Sequence, residues 1–344
     1  MLIDTTPAQA HVVLEAMHDI ARFPDRQLSV TDADMLRGAA SLLFPDDDPA
    51  ELDLDTLPRA TPAQIAAGIV DQRERSQAMT FLVLAAFGGT DFEPERFERV
   101  AEYAKALDVP REELHILREL AHEHMRLAQF HLMRDTMEVV TESEHWATRG
   151  AKLLHGIVGK EASHDPELAA RYRAFEQLPE HTYGYALFRQ YADHGFSFPG
   201  EPDNIGEVFG IRHDTCHVLT GYSTSRQGEV LVGTFSTGMQ SRYAPIEPFH
   251  VLMMPLFTWH LGTPMLPRGG VPAHGVFDAR KILVAWDRGT STTFDVFGPD
   301  FDVFALAPRD LDELRAEWHV APLDPADAAI SNDELPDFVP MPPS

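Results

Sequence analysis

From Gln27 to about Glu142 the apolar residues recur at helical spacing. Leu36, Ala39, Ala40, Leu42 and Leu43 share one face of a helix, and Phe81, Leu82, Leu84, Ala85, Ala86 and Phe87 line another. Turn formers separate these segments at Pro45-Asp46-Asp47-Asp48-Pro49, Gly88-Gly89-Thr90-Asp91 and Val109-Pro110. The pattern predicts an all-α fold. Thr90 or Asp91 is the expected cap of a following helix, with Glu93 and Glu95 in its first turn, where the macrodipole favours negative charge. His122-Glu123-His124, with His131 and Asp135, reads as a solvated helix face rather than a metal site.

The chemistry concentrates farther along, at His213-Asp214-Thr215-Cys216-His217, with Glu229 following after a turn-rich stretch. On a helix advancing about 100° per residue, His217 lies about 40° from His213, so two imidazoles meet one turn apart. Each can bring a nitrogen to about 2.0–2.1 Å from a divalent ion. The segment Thr220 to Gly228 is rich in Gly, Ser and Thr, which lets the chain reverse and return Glu229 to the rings. His213, Asp214, His217 and Glu229 are therefore the candidate metal ligands. Asp214 stands open as ligand, general base or ring-orienting carboxylate. Two His and a carboxylate suit zinc as well as iron or manganese. Cys216, the one cysteine, is expected to be a small packing residue, and its solitude excludes an intramolecular disulfide.

Length and charge narrow the function. A chain of 344 residues with 44% apolar content can fill two ordinary cores. The expected division is 1–145, 146–321 and a Pro- and acid-rich tail over 322–344, which drapes over the surface or stays disordered. With 54 acidic against 28 basic residues the formal charge is −26, which argues against a nucleic-acid partner and against broad attraction to an anionic bilayer. Neither an 18-residue apolar run nor a signal peptide is evident. The expectation is a cytoplasmic protein, peripheral at most to the inner face of the cell membrane. Within Val251 to Trp259, residues Met253, Met254, Phe257 and Trp259 are candidates for lining a lipid groove, and a buried core helix would look the same.

The region over roughly 150–320 resembles the coenzyme Q biosynthesis protein 4 family. The likeness is carried by Arg212-His213-Asp214 through His217-Val218-Leu219-Thr220-Gly221-Tyr222 and by Gly228-Glu229-Val230. Pro179-Glu180-His181-Thr182-Tyr183-Gly184, with Phe188 and Asp193-His194-Gly195-Phe196, adds to it upstream. Ala285-Trp286-Asp287-Arg288-Gly289 and Asp310-Leu311-Asp312-Glu313-Leu314-Arg315 add to it downstream. The pattern departs at His181-Thr182-Tyr183-Gly184, where the family usually has G-T-L-G, and at Gly233 and Ser236, where it often has Lys and Glu. In the N-terminal half, Ala85 through Arg96 and Ala104 through Pro110 resemble the TerB-like tellurite-resistance helical domain, a resemblance that implies Asp91, Glu93 and Glu95 as a surface cation site in competition with the capping reading.

The first resemblance implies a helical domain holding a divalent metal and a prenyl lipid, with a role in ubiquinone synthesis. The implied reaction replaces the ring C1 carboxylate of a prenylated hydroxybenzoate by hydroxyl. A prenylated aromatic, other quinone-synthesis proteins, transient membrane contact and a homodimer are the partners that follow from it. A non-catalytic prenyl-lipid-binding scaffold is the alternative. A metallohydrolase, from the likeness of H-D-x-x-H to the zincin H-E-x-x-H, ranks below both.

Overall fold

The computed structural model describes residues 6–88, 93–109, 114–122, 124, 127, 128, 131, 132, 164–202, 204, 210–240, 248–256 and 278–328. Among them all regular structure is helical and no strand occurs; one isolated bridge joins Thr182 and Asp310. The all-α expectation holds. No helix of the described residues is long and apolar enough to cross a membrane. The expected boundary between residues 145 and 146 lies outside the described residues.

Six helices come from the first part of the chain: α1 (Pro7–Arg22), α2 (Val30–Leu43), α3 (Pro62–Gly68), α4 (Gln72–Phe87), α5 (Pro94–Ala106) and α6 (Leu114–Ala121). Their starts follow local chemistry. Thr6 with Gln9, Ser29 with Asp32 and Thr61 with Gln64 form reciprocal capping boxes, and proline occupies the first turn of α1, α3 and α5. Helix α5 departs from expectation. Its N-cap position is Glu93, which makes no side-chain cap bond and instead pairs with Arg26 and Arg96, while Glu95 does sit in the first turn. Thr90 and Asp91 lie outside the described residues.

Asp32 is fully buried and accepts two bonds from the buried Arg96 guanidinium, at 2.6 and 3.0 Å. Asp19 likewise receives Arg59 at 2.9 Å, Arg99 at 2.6 Å and the Tyr103 hydroxyl at 2.7 Å. Each carboxylate ties together segments far apart in sequence, and each is compensated because bare burial of its charge would cost several kcal/mol.

The later helices are α7 (Pro166–Arg173), α8 (Tyr183–His194), α9 (Arg212–Thr220), α10 (Arg226–Gln240), α11 (Pro248–Pro255), α12 (Ala279–Ser291), α13 (Val303–Leu306), α14 (Leu311–Glu317) and α15 (Pro325–Ala328). Two helices are central. In α4 every residue from Ala78 to Phe87 is buried, so the predicted apolar face is in fact a helix enclosed on all sides. Nearly all of α10 is buried too.

Helix α12 packs closely on α10 because glycines remove the side chains between them. A Cβ on Gly289 would lie 2.1 Å from the Phe235 carbonyl oxygen, and one on Gly238 2.4 Å from that of Trp286. Helix α12 also packs on α2, α11 packs on α4 and α10, and Phe81 meets Trp286 edge-on at 5.3 Å. One contiguous apolar core therefore runs from α1 to α14. The start of the tail is folded down: Leu323 packs against this core, and Asp327 is buried and paired with Arg280.

The glycine contact gives a direct test. Gly289→Ala forces a methyl into the Phe235 backbone and should destabilise the protein by about 1–3 kcal/mol. The check is a lower denaturant midpoint at unchanged slope; a midpoint equal to wild type would refute the close approach.

Candidate metal centre

Helix α9 presents His213 and His217 one turn apart, their rings edge-to-face with centroids 4.9 Å apart. The helix stops where Gly221 takes the left-handed conformation (φ 79°) and returns its N–H to the His217 carbonyl at 2.8 Å. The chain then folds over the first turn of α10. Ser225 Oγ accepts from the Gly228 N–H at 3.1 Å, and a Cβ on Gly228 would lie 1.9 Å from the Ser223 carbonyl oxygen. Glycine is thus required next to Glu229, and the tight wrap aims Glu229 back at α9. The predicted reversal between Thr220 and Gly228 is present.

Three of the four predicted ligands meet at close range. His213 Nε2 lies 3.0 Å from Glu229 Oε2, His217 Nε2 lies 3.4 Å from Glu229 Oε1, and the two Nε2 atoms are 3.2 Å apart. Donor atoms bonded at about 2.0–2.1 Å to one ion are separated by roughly 3.0 Å in octahedral and roughly 3.3 Å in tetrahedral geometry. The observed edges match the spacing that a first-row divalent ion requires. His217 Nδ1 lies 3.0 Å from the Tyr222 carbonyl oxygen, which can only accept. That fixes a proton on Nδ1 and turns Nε2 toward the cluster as the nitrogen that would bind an ion, the arrangement usual for a ligating histidine.

Asp214 is also near: His213, Asp214 and His217 each offer a ligand atom within 4.8 Å of the others. Its environment differs from that of Glu229. Burial alone would raise Glu229, but the two imidazoles beside it outweigh burial and hold it at about 2. For Asp214 burial wins, and its pKa is raised despite the rings and the hydrogen bond from Tyr191. Glu229 is accordingly the ionised group facing both rings, while Asp214 is held from the other side by α8. For His217 burial acts to lower the pKa, but Glu229 and Asp214 reverse it and the ring is raised.

The helix that carries the site is fastened at both ends. Near its start, the Arg212 guanidinium donates to the carbonyls of Val296 and Gly298, each at 2.8 Å. At its end, where the last carbonyls lack helical partners, Arg315 donates to Val218 and Leu219 at 2.9 Å and Arg288 to Thr220 at 3.0 Å. Two cations at a helix C-terminus also complement its dipole. Neither arginine was singled out as a site residue from the sequence, although both fall in runs that carry the family resemblance. Tyr191, which donates to Asp214 Oδ2 at 2.5 Å, left no signal in the sequence beyond membership of a helical segment.

Other expected residues are placed as follows. Cys216 is fully buried beside Ser236, and burial pushes its thiol up to about 12, the reverse of what a thiolate ligand needs. Met253 is fully buried and Met254 half-buried on α11, whose Pro255 sits over Gly233; Phe257 and Trp259 lie outside the described residues. His122 Nδ1 bonds the Arg118 carbonyl and His131 pairs with Glu119, and no metal-holding group is found there among the described residues. Glu123 and Asp135 lie outside them. Within His181-Thr182-Tyr183-Gly184, Thr182 caps α8, the Tyr183 hydroxyl and Thr215 Oγ1 share a hydrogen bond at 2.6 Å, and Gly184 packs against Ala307 and Leu178.

A scan against protein-family models, a search of curated proteins and a search of solved structures each return no match.

The electrostatics predict a pH signature in chelator-treated protein. Glu229 is lowered from 4.5, so its contribution is complete above 4.5 and lost as pH falls toward about 2. His217 is raised from 6.5, so its contribution is complete below 6.5 and lost as pH rises through its folded value. The carboxylate–imidazole attraction is therefore fullest between 4.5 and 6.5. Thermal melts across pH should show this increment in wild type and lose it in Glu229→Gln; superimposable profiles would refute the pairing.

Metal loading has the opposite dependence. A bound ion displaces the His217 proton, so affinity should fall as the pH is lowered. Competition titration with a chromophoric chelator at two pH values checks this.

Proposed function

We propose that this chain is a metal-dependent protein of prenylquinone synthesis that acts at ring C1 of a prenylated hydroxybenzoate. The observation that supports it most is the triangle of His213 Nε2, His217 Nε2 and the Glu229 carboxylate, with edges of 3.0, 3.2 and 3.4 Å. A carboxylate and two imidazoles so disposed are the donor set of zinc, iron and manganese centres. Bound there, a divalent ion would supply Lewis acidity toward the carboxylate or phenolate of an aromatic acid.

The protein's own groups then have defined tasks. His213, the most exposed of the three with 22% of its side chain accessible, marks the side from which a substrate approaches. Asp214 exchanges a proton at higher pH than an exposed carboxylate, which suits it to the phenol of such a substrate. In the overall change the ring carboxylate leaves as carbon dioxide, one atom of dioxygen becomes the hydroxyl oxygen, and a separate two-electron donor reduces the other atom to water. The substrate class follows from the resemblance described above, as does the reading of residues 1–145 as a TerB-like helical domain and of 146–321 as the metal-binding domain. Contact with the membrane surface is local and apolar in this reading, since the net charge of −26 opposes an anionic bilayer.

A second reading, a prenyl-lipid-binding scaffold with a structural metal, has its own support. The His217 side chain is 1% and that of Glu229 10% accessible, and structural metal sites are closed where catalytic ones stay open.

One experiment separates the two. Freshly purified protein should contain about one equivalent of divalent metal, and His217→Ala should lose it while keeping its helical circular dichroism. Carbon dioxide release from a prenylated hydroxybenzoate by wild type, absent in His217→Ala, supports catalysis. Bound metal with co-purified prenyl lipid and no turnover favours the scaffold. Equal metal content in the variant would sink the site.

A further inference from the structure

Helix α8 lies against the metal-bearing helix and sends one phenol to its acid. The Tyr191 hydroxyl donates to Asp214 Oδ2 at 2.5 Å, and both residues are buried, at 5% and 7% exposure. The ring cannot swing away. Phe198 stacks on it with centroids 5.0 Å apart, and Phe196 meets it edge-on at 6.0 Å. A short hydrogen bond from a ring held on two sides therefore takes up one oxygen of Asp214 and sets the plane of its carboxyl group relative to the two imidazoles.

We infer that Tyr191 is a positioning residue for the metal centre, acting through Asp214: its phenol holds the carboxylate so that the second oxygen, Oδ1, is oriented for service as a ligand or proton acceptor. The inference rests on the metal reading above and deepens it. A carboxylate on a short side chain retains rotation about its Cα–Cβ and Cβ–Cγ bonds, and each loose torsion costs precision at a site where an offset of about 1 Å matters. The phenol adds direction.

The same pair of helices contains its own control. Tyr183 is also buried on α8 and also bonds α9, but to Thr215 Oγ1, at 2.6 Å, rather than to a carboxylate. Tyr191→Phe and Tyr183→Phe therefore each delete one buried hydroxyl from the same interface, and only the first touches Asp214.

The test is Co²⁺ binding to full-length wild type, Y191F, Y183F, D214N and Y191F/D214N, read by affinity and by the visible ligand-field spectrum. Loss of a partner that orients a metal-site group weakens binding by roughly 10–100-fold. Y191F should show such a loss with an altered spectrum, Y183F should match wild type, and Y191F should add nothing in the D214N background. Wild-type affinity and spectrum in Y191F would overturn the proposal, as would an equal penalty in Y191F and Y183F or full additivity with D214N. Should Y191F fail to fold, the folded wild type still reports: Co²⁺ should shift the ultraviolet tyrosine band, and D214N should abolish the shift. An unmoved band overturns the coupling. Wild type that takes up no Co²⁺ defeats the metal reading itself and the proposal with it, an outcome distinct from normal Co²⁺ uptake that ignores Tyr191.

Discussion

The constraint on which the site depends is the enclosure of an ionised carboxylate, Glu229, against two imidazole nitrogens. Bringing three lone-pair-bearing groups within 3.0–3.4 Å of one another inside a protein is unfavourable unless protons or a cation lie between them. Protons do this in part, which is why Glu229 is driven down and His217 up. A divalent ion would do it more completely. The surrounding architecture has the form expected of a scaffold that must hold such groups together against their own hydration.

That holding is done mostly by backbone-directed arginines and by glycines. Arg212, Arg288 and Arg315 fasten both ends of α9 to carbonyls of that helix or of neighbouring segments, so the histidine pair cannot rotate about the helix axis. Gly228 lets the Ser223 backbone close over the start of α10, which fixes Glu229 relative to α9. Gly238 and Gly289 let α12 approach α10 closely enough for Arg288, on α12, to reach the last carbonyl of α9. The candidate ligands are four side chains, and their relative positions are set largely by residues outside that set.

The first part of the chain shares in this. Helix α4 is buried on every side, and its Phe81 packs on Trp286 of α12, the helix that supplies Arg288. The Asp32–Arg96 and Asp19–Arg59–Arg99–Tyr103 pairings tie the early helices to one another with satisfied buried charge. Apolar packing thus links the early helices with those that carry the candidate metal centre.

Helical periodicity, capping chemistry and the one-turn spacing of His213 and His217 are local properties, and they were legible because a helix places residues three or four apart on one face whatever surrounds it. The turn formers before Glu229 were legible for the same reason. Other features depended on which helices meet. That α4 is enclosed rather than one-sided, that Glu93 takes the cap position of α5 and engages Arg96 and Arg26, and that the tail folds down through Leu323 and Asp327 follow from neighbours remote in sequence. So do the different fates of two nearby carboxylates. Glu229 faces two imidazoles and stays ionised, while burial pushes Asp214 toward its protonated form against the opposing hydrogen bond from the Tyr191 phenol of α8. Spacing along the chain names the groups able to bind a metal; desolvation and long-range hydrogen bonds assign each group its charge and its direction, because both energies depend on what packs in three dimensions.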